Sequence, residues 1–158
     1  MASILKNLSA YTAKNLPDAK NLRFGIVVAE WNEEITSALL SGALEILKKH
    51  GVQDQNITVK TVPGSFELSL GAQWFAQQPD TDAVIALGCI IQGETRHFDF
   101  ISQAVANGLT DVGLKYNKPV IFGVLTPDNA QQAEDRAGGK HGNKGDEAAI
   151  TALKMLGW

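Results

Sequence analysis

Apolar residues come along this chain in short unbroken runs, each followed by a longer stretch with helical spacing. "LRFGIVVA", residues 22–29, has the near-continuous apolar character of a strand buried on both faces. Asn32 then reads as a helix cap, with Glu33 and Glu34 in the positive first turn and Lys48, Lys49 and Gly51 marking the end. "NITVKTV", residues 56–62, predicts a second strand. A Pro63-Gly64 turn follows, with Ser65 as the next cap and a helix to about Gln78, where Pro79 closes it. "AVIALGCII", residues 83–91, is the most apolar run. Its helix is expected from about Thr95, with Phe98, Ile101, Val105, Leu109 and Val112 at helical spacing. "PVIFGVLT", residues 119–126, predicts a fourth strand with Pro119 at its first position, where a missing donor is tolerated. A short helix near Ala130 to Arg136, the glycine-rich "AGGKHGNKG" and a last helix over Asp146 to Leu156 complete the pattern.

Strands alternating with helices of this length imply a parallel sheet covered on both faces, and crossovers in such sheets are right-handed. The expected fold is α/β: a three-layer α/β/α sandwich with a four-stranded parallel sheet, flavodoxin-like. The 158 residues suit one domain, taken as residues 22–158 behind a polar N-terminal arm, residues 1–21.

Composition narrows the partners. A net charge of −3 gives no reason to expect nucleic acid or an anionic membrane surface. No stretch approaches the roughly 20 apolar residues of a membrane span, and the first residues lack the apolar block of a signal peptide, so a cytoplasmic protein is expected. The single cysteine, Cys89, has no partner for an intrachain disulfide and reads as a buried small hydrophobe rather than a nucleophile. No residues stand at metal-ligand spacing, so no metal is expected.

In an open parallel sheet, ligands bind beyond the carboxyl ends of the strands. "AEWN", "VPGSFE", "QGETRH" and "LTPDN" arrive there, and three of the four carry residues that a plain turn does not need. Trp31 suits either helix packing or stacking on a flat heterocycle. Trp74, Trp158 and Phe122 read as packing residues. Glu67 is favoured by the helix dipole, and its carboxylate could equally accept the hydroxyls of a polyol. Gly93 permits close approach, and the free amides at Glu94, Thr95 and Arg96 suit an anion, while the Arg96 side chain is expected in solvent. His97 is better placed for proton transfer than His50 or His141. Only three of the fourteen basic residues are arginines. One of them, Arg136, stands with Lys140 and Lys144 around glycines in the manner of a phosphate clamp. "GNKG" lacks Walker spacing, and no GxGxxG follows the first strand.

"RFGIVVAEWN", "VPGSFEL", "LGCIIQGETRHFDFIS", "PVIFGVLT" and "RAGGKHGNKGDEAA" occur in the order and at the spacing of the lumazine synthase family, which the chain resembles from about Leu22 onward. The resemblance implies the penultimate step of riboflavin synthesis. There, 5-amino-6-(D-ribitylamino)uracil condenses with 3,4-dihydroxy-2-butanone 4-phosphate to 6,7-dimethyl-8-ribityllumazine, without cofactor or metal. It also implies roles. Trp31 matches the aromatic that stacks on the pyrimidine, Ser65 and Phe66 match backbone contacts to substrate, and Glu67 matches the carboxylate that holds ribityl hydroxyls. Ile90 and Ile91 line the ring pocket. The amides of Glu94 and Thr95 match the phosphate loop, and His97 matches the proton shuttle. Phe122, Arg136 and Lys140 match groups supplied by a neighbouring subunit, and Lys144 with Glu147 matches a nearby supporting pair. The partners implied are therefore small-molecule substrates and further copies of the chain, as a pentamer or a 60-subunit shell of pentamers. The short "GGKHGNKG" favours the shell, and the arm is expected to add a strand to a neighbour's sheet. Two positions depart from the family: Gln92 stands where many members carry Arg or Lys, and Ser69 where proline is common.

Three other readings fit less well. A flavin-binding electron carrier needs a phosphate loop after the first strand, where "AEWNEE" is acidic. A receiver-type signalling module needs clustered aspartates at the strand ends. A non-catalytic lumazine- or flavin-binding shell protein would be expected to lack His97 or Arg136, and both are present.

Overall fold

The computed structural model describes residues 7–11, 14 and 16–158. Four parallel strands, β1 (Phe24–Ala29), β2 (Ile57–Val62), β3 (Ala83–Cys89) and β4 (Val120–Leu125), form one sheet in the order β2-β1-β3-β4. The helices that alternate with them are α1 (Glu33–Lys49), α2 (Leu68–Ala76), α3 (His97–Tyr116), α4 (Ala130–Glu134) and α5 (Lys144–Leu156). The result is the expected flavodoxin-like α/β/α sandwich.

Every residue of β1 and β3 is buried, because alternate side chains enter different layers. Phe24, Ile26, Val28, Ile85 and Leu87 pack with Leu39, Ala43 and Leu47 of α1 and with Ala149 and Leu153 of α5. Val27, Ala29, Val84 and Ala86 pack on the other face with Leu68, Ala72 and Phe75 of α2 and with Val105, Leu109 and Val112 of α3. Ser69, the departure from the family's proline, lies where α2 crosses α3 against Gly108.

Element ends depart from expectation for local reasons. Helix α5 starts at Lys144 rather than Asp146 because Asn143 caps it, its Oδ1 accepting the Gly145 N–H at 2.8 Å. The glycine-rich segment is not a plain loop: β5 (Ala137–Gly139) and β6 (Gly142–Asn143) form a small antiparallel hairpin. Two tryptophans read as packing residues are exposed. Trp74 stands on the outer side of α2, away from buried Ala72 and Phe75, and Trp158 follows the end of α5. Trp158 lies beside a groove of about 800 Å3 along the open edge of β4, with Leu114, Val120, Phe122 and Met155. The expectation that the arm pairs with a neighbour's sheet falls partly on residues 1–6, 12, 13 and 15, which lie outside the described residues. Residues 7–9 lie against the chain's own β5–β6 hairpin.

Leu87 is fully buried in β3, so Leu87→Ala should lower the unfolding free energy by about 2–5 kcal/mol. The urea midpoint would report it, and an unchanged midpoint would contradict this account of the core.

Candidate active site

The parallel pairing continues past the strands and draws their carboxyl ends together. Glu30 N–H donates to the Val62 carbonyl at 2.9 Å and Trp31 N–H to the Pro63 carbonyl at 3.2 Å. Asn32 occupies the N-cap position of α1 but does not act as its side-chain cap. Its backbone is left-handed, φ 60°, and its Nδ2 donates instead to the Cys89 carbonyl at 2.9 Å. Asn32 thereby ties the end of β1 to the end of β3.

These ends enclose a groove of about 660 Å3, a volume suited to a small organic ligand. Seven of the expected site residues line it: Trp31, Ser65, Phe66, Glu67, Ile90, Ile91 and His97. Trp31 is 74% exposed, which removes the core-packing alternative and leaves its ring free at the groove. Ser65 is not a helix cap. Its hydroxyl is buried and takes no partner among the described residues; it sits so close to β3 that a Cβ on Gly88 would come within 2.7 Å of it. Glu67 does the capping work, its Oε2 accepting the Gly64 N–H at 3.0 Å and its Oε1 remaining for a ligand.

His97 is the first residue of α3, two positions later than the expected start. Its N–H reaches Thr95 Oγ1 at 3.4 Å. Before it, the amides of residues 93–96 donate to no protein acceptor among the described residues. Glu94 and Thr95 are exposed and stand beside the groove rather than in its lining. Arg96 lies in solvent as expected, over the Phe100 ring and 3.8 Å from Asp99. Cys89 borders the groove but is buried, and burial pushes its thiol up to about 11, which fits the packing role.

The remaining groups gather elsewhere. A second pocket, of about 370 Å3, is lined by Phe122, Arg136 and Lys144, with Leu8, Thr126 and Gln132. It shares no lining residue with the first. Phe122 is half-buried on edge strand β4, packed against the core on the α2–α3 side as well as lining this pocket. The Arg136 guanidinium donates to the Gln132 carbonyl at 3.0 Å and meets no carboxylate among the described residues. Lys144 pairs with Glu147 at 3.0 Å as expected. Lys140 is not brought to this pocket: its ammonium pairs with Asp135 at 2.9 Å.

Four groove residues were not expected there: Asn32, Ile101, and Gly64 and Cys89, which read from the sequence as a turn and a buried hydrophobe. Asn32 was hidden by its plausibility as a cap. Ile101 follows His97 by one helical turn, and that spacing was the available signal.

Residues 21–158 match the family model for 6,7-dimethyl-8-ribityllumazine synthase. The chain belongs to the lumazine synthase family. Proteins named 6,7-dimethyl-8-ribityllumazine synthase are similar to it along nearly the whole length. The one from Cytophaga hutchinsonii is 67% identical over 156 residues, covering 99% of this chain and 98% of its own. Those from Parabacteroides distasonis and Porphyromonas gingivalis are 55% and 54% identical, each again covering 99% of this chain and 98% of its own. In this lumazine synthase family member, no three His, Cys, Asp or Glu side chains gather as a metal site among the described residues. No helix among them is long and apolar enough to cross a membrane.

The Lys140 hydrogen bond, then the Gln131 amide and the charges of Lys140 and His141, hold the Asp135 carboxyl below its usual range against the opposing effect of burial. A lowered carboxylate stabilises the fold fully above its ordinary value near pH 4, and that stability is lost as pH falls through the lowered one. Asp135→Asn should therefore lower Tm at pH 6, by a margin that shrinks below about pH 4. A margin independent of pH would contradict this reading of the pair.

Proposed function

We propose that this chain condenses 5-amino-6-(D-ribitylamino)uracil with 3,4-dihydroxy-2-butanone 4-phosphate to 6,7-dimethyl-8-ribityllumazine, releasing phosphate and water, as a step of riboflavin biosynthesis in the cytoplasm. The observation that carries the reading is the single groove in which an exposed aromatic, a carboxylate with a spare oxygen and a histidine at a helix start converge in a member of this family.

Trp31 stacks on the pyrimidine, between the walls formed by Ile90 and Ile91. The backbone of Ser65 and Phe66 and the free Oε1 of Glu67 take the ribityl chain. The phosphate rests on the amides around Glu94 and Thr95. The substrate amine attacks the ketone and one water leaves as the imine forms. Phosphate is then eliminated to leave a new carbonyl, and the ribitylamino nitrogen attacks that carbonyl with loss of a second water, closing the ring. Each step moves a proton, and His97 is the group at the groove that can carry it repeatedly. Developing negative charge on the leaving phosphate is met by fixed amides and a guanidinium that need no rearrangement. Holding two substrates together supplies much of the rest, up to roughly 7–11 kcal/mol in favourable cases.

Phe122, Arg136 and Lys140 act from a second copy of the chain. Two features support this: the Arg136 pocket shares no residue with the groove, and the apolar groove along β4 is open at the sheet's edge. A head-to-tail ring satisfies both, and a pentamer, with a shell of pentamers beyond it, is the assembly we assign. In that assembly Lys140 exchanges Asp135 for the substrate.

Mixing the protein with both substrates and following the lumazine absorbance tests the reaction. His97→Ala should lower kcat about 100-fold or more, whereas Arg136→Ala should mainly lower kcat/KM for the butanone phosphate. Wild-type protein no faster than the uncatalysed background would refute the synthase and favour a non-catalytic ligand-binding shell.

A further inference from the structure

The N-terminal segment has more to do at the Arg136 pocket than its position in the sequence suggests. Leu8 is 6% exposed and forms part of the wall that also contains Phe122 and Arg136. Residues 7–10 are folded into a turn, with Ser9 N–H donating to Asn7 Oδ1 at 2.8 Å and Ala10 N–H to the Asn7 carbonyl at 3.0 Å. From this turn, Leu8 N–H donates to the His141 carbonyl at 2.7 Å, and Ser9 Oγ accepts the Asn143 N–H at 2.9 Å.

The hairpin is shaped to receive them. Gly142 has φ +79°, which favours glycine. A Cβ there would overlap Asn7 Oδ1 and come within 2.7 Å of the Ser9 nitrogen and 2.9 Å of the Leu8 nitrogen. The gripped residues adjoin the arginine on both sides: His141 N–H donates to the Asp135 carbonyl at 2.8 Å, Asn143 pairs with Ala137 across the hairpin, and the next residue, Lys144, donates its N–H to the Arg136 carbonyl at 2.8 Å. Two hydrogen bonds and a buried leucine thus hold the hairpin, and Lys144, directly after it, holds the backbone of Arg136.

We infer that Leu8 and Ser9 are positioning residues that fix the Arg136 pocket for the phosphate ester of the substrate. They do not touch the reacting atoms. They act by keeping the guanidinium where the phosphate arrives, so that its ordering is not charged against binding. This rests on the reaction proposed above.

The test measures KM for each substrate and kcat in full-length Leu8→Ala, Ser9→Ala and Ser9→Thr proteins, with calorimetric titration of inorganic phosphate alongside. Ser9→Ala should raise KM for the butanone phosphate about fivefold, the factor matching one lost hydrogen bond of ordinary net strength. KM for the ribitylaminouracil should stay within about twofold and kcat should hold. Ser9→Thr, which keeps the acceptor oxygen, should restore the wild-type value, and Leu8→Ala should act in the same direction as Ser9→Ala. Equal KM values in all forms, or parallel loss for both substrates with a fall in kcat, would overturn the inference. If the wild type makes no lumazine, the reaction fails, yet phosphate binding weakened alike by Leu8→Ala, Ser9→Ala and Arg136→Ala would sustain the positioning role. Phosphate affinity lost only in Arg136→Ala would overturn that role and leave the reaction standing. No phosphate binding and no product in any form would remove both.

Discussion

Two-sided burial of β1 and β3 is the constraint from which the rest follows. With helices on both faces, neither strand has a side chain in contact with solvent, and polar groups are excluded from all but their ends. Chemistry can be placed only where the backbone leaves the sheet. The pairing of Glu30 and Trp31 with the turn after β2, and the Asn32 amide on the Cys89 carbonyl, then bring three such exits to one groove. A tryptophan, a glutamate and a histidine far apart in the chain meet there as a consequence of packing rather than of any direct bond between them.

The alternation of apolar runs with helical spacing made the sheet legible from the sequence, because two-sided burial leaves an unbroken signature that a single chain displays openly. The groove residues were legible for the same reason: they follow directly from the ends of those runs. What the sequence concealed is instructive. Asn32 and Ser65 carry the residue types of helix caps, and local propensity cannot distinguish a cap from a side chain spent on a neighbouring strand or buried against Gly88. Trp74 and Trp158 looked like packing residues because size and apolarity do not say which side of a helix faces solvent. The β5–β6 hairpin was invisible, since its five residues include three glycines and no strand formers.

Arg136 illustrates a different limit. Its spacing and glycine-rich setting pointed to an anion, and the structure gives it a guanidinium without a carboxylate partner among the described residues, but in a pocket separate from the histidine. On the proposed reading, one chain presents two partial sites. The edge strand β4 carries the arginine side and the exits of β1, β2 and β3 carry the histidine side, an arrangement that suits a head-to-tail contact in which each copy offers one half to each neighbour. Catalysis and assembly would then depend on the same surfaces, and the helices and arm that hold those surfaces rigid matter to both.

The central claim is that His97 and Arg136 of different copies serve one reaction. Co-refolding His97→Ala and Arg136→Ala chains in equal amounts tests it most directly. If the site is shared, random pairing joins an intact histidine face to an intact arginine face at about a quarter of the contacts, and activity should return to about that fraction of wild type. If both residues worked within one chain, no mixture could repair either defect, and activity no greater than the mean of the two variants would contradict the account.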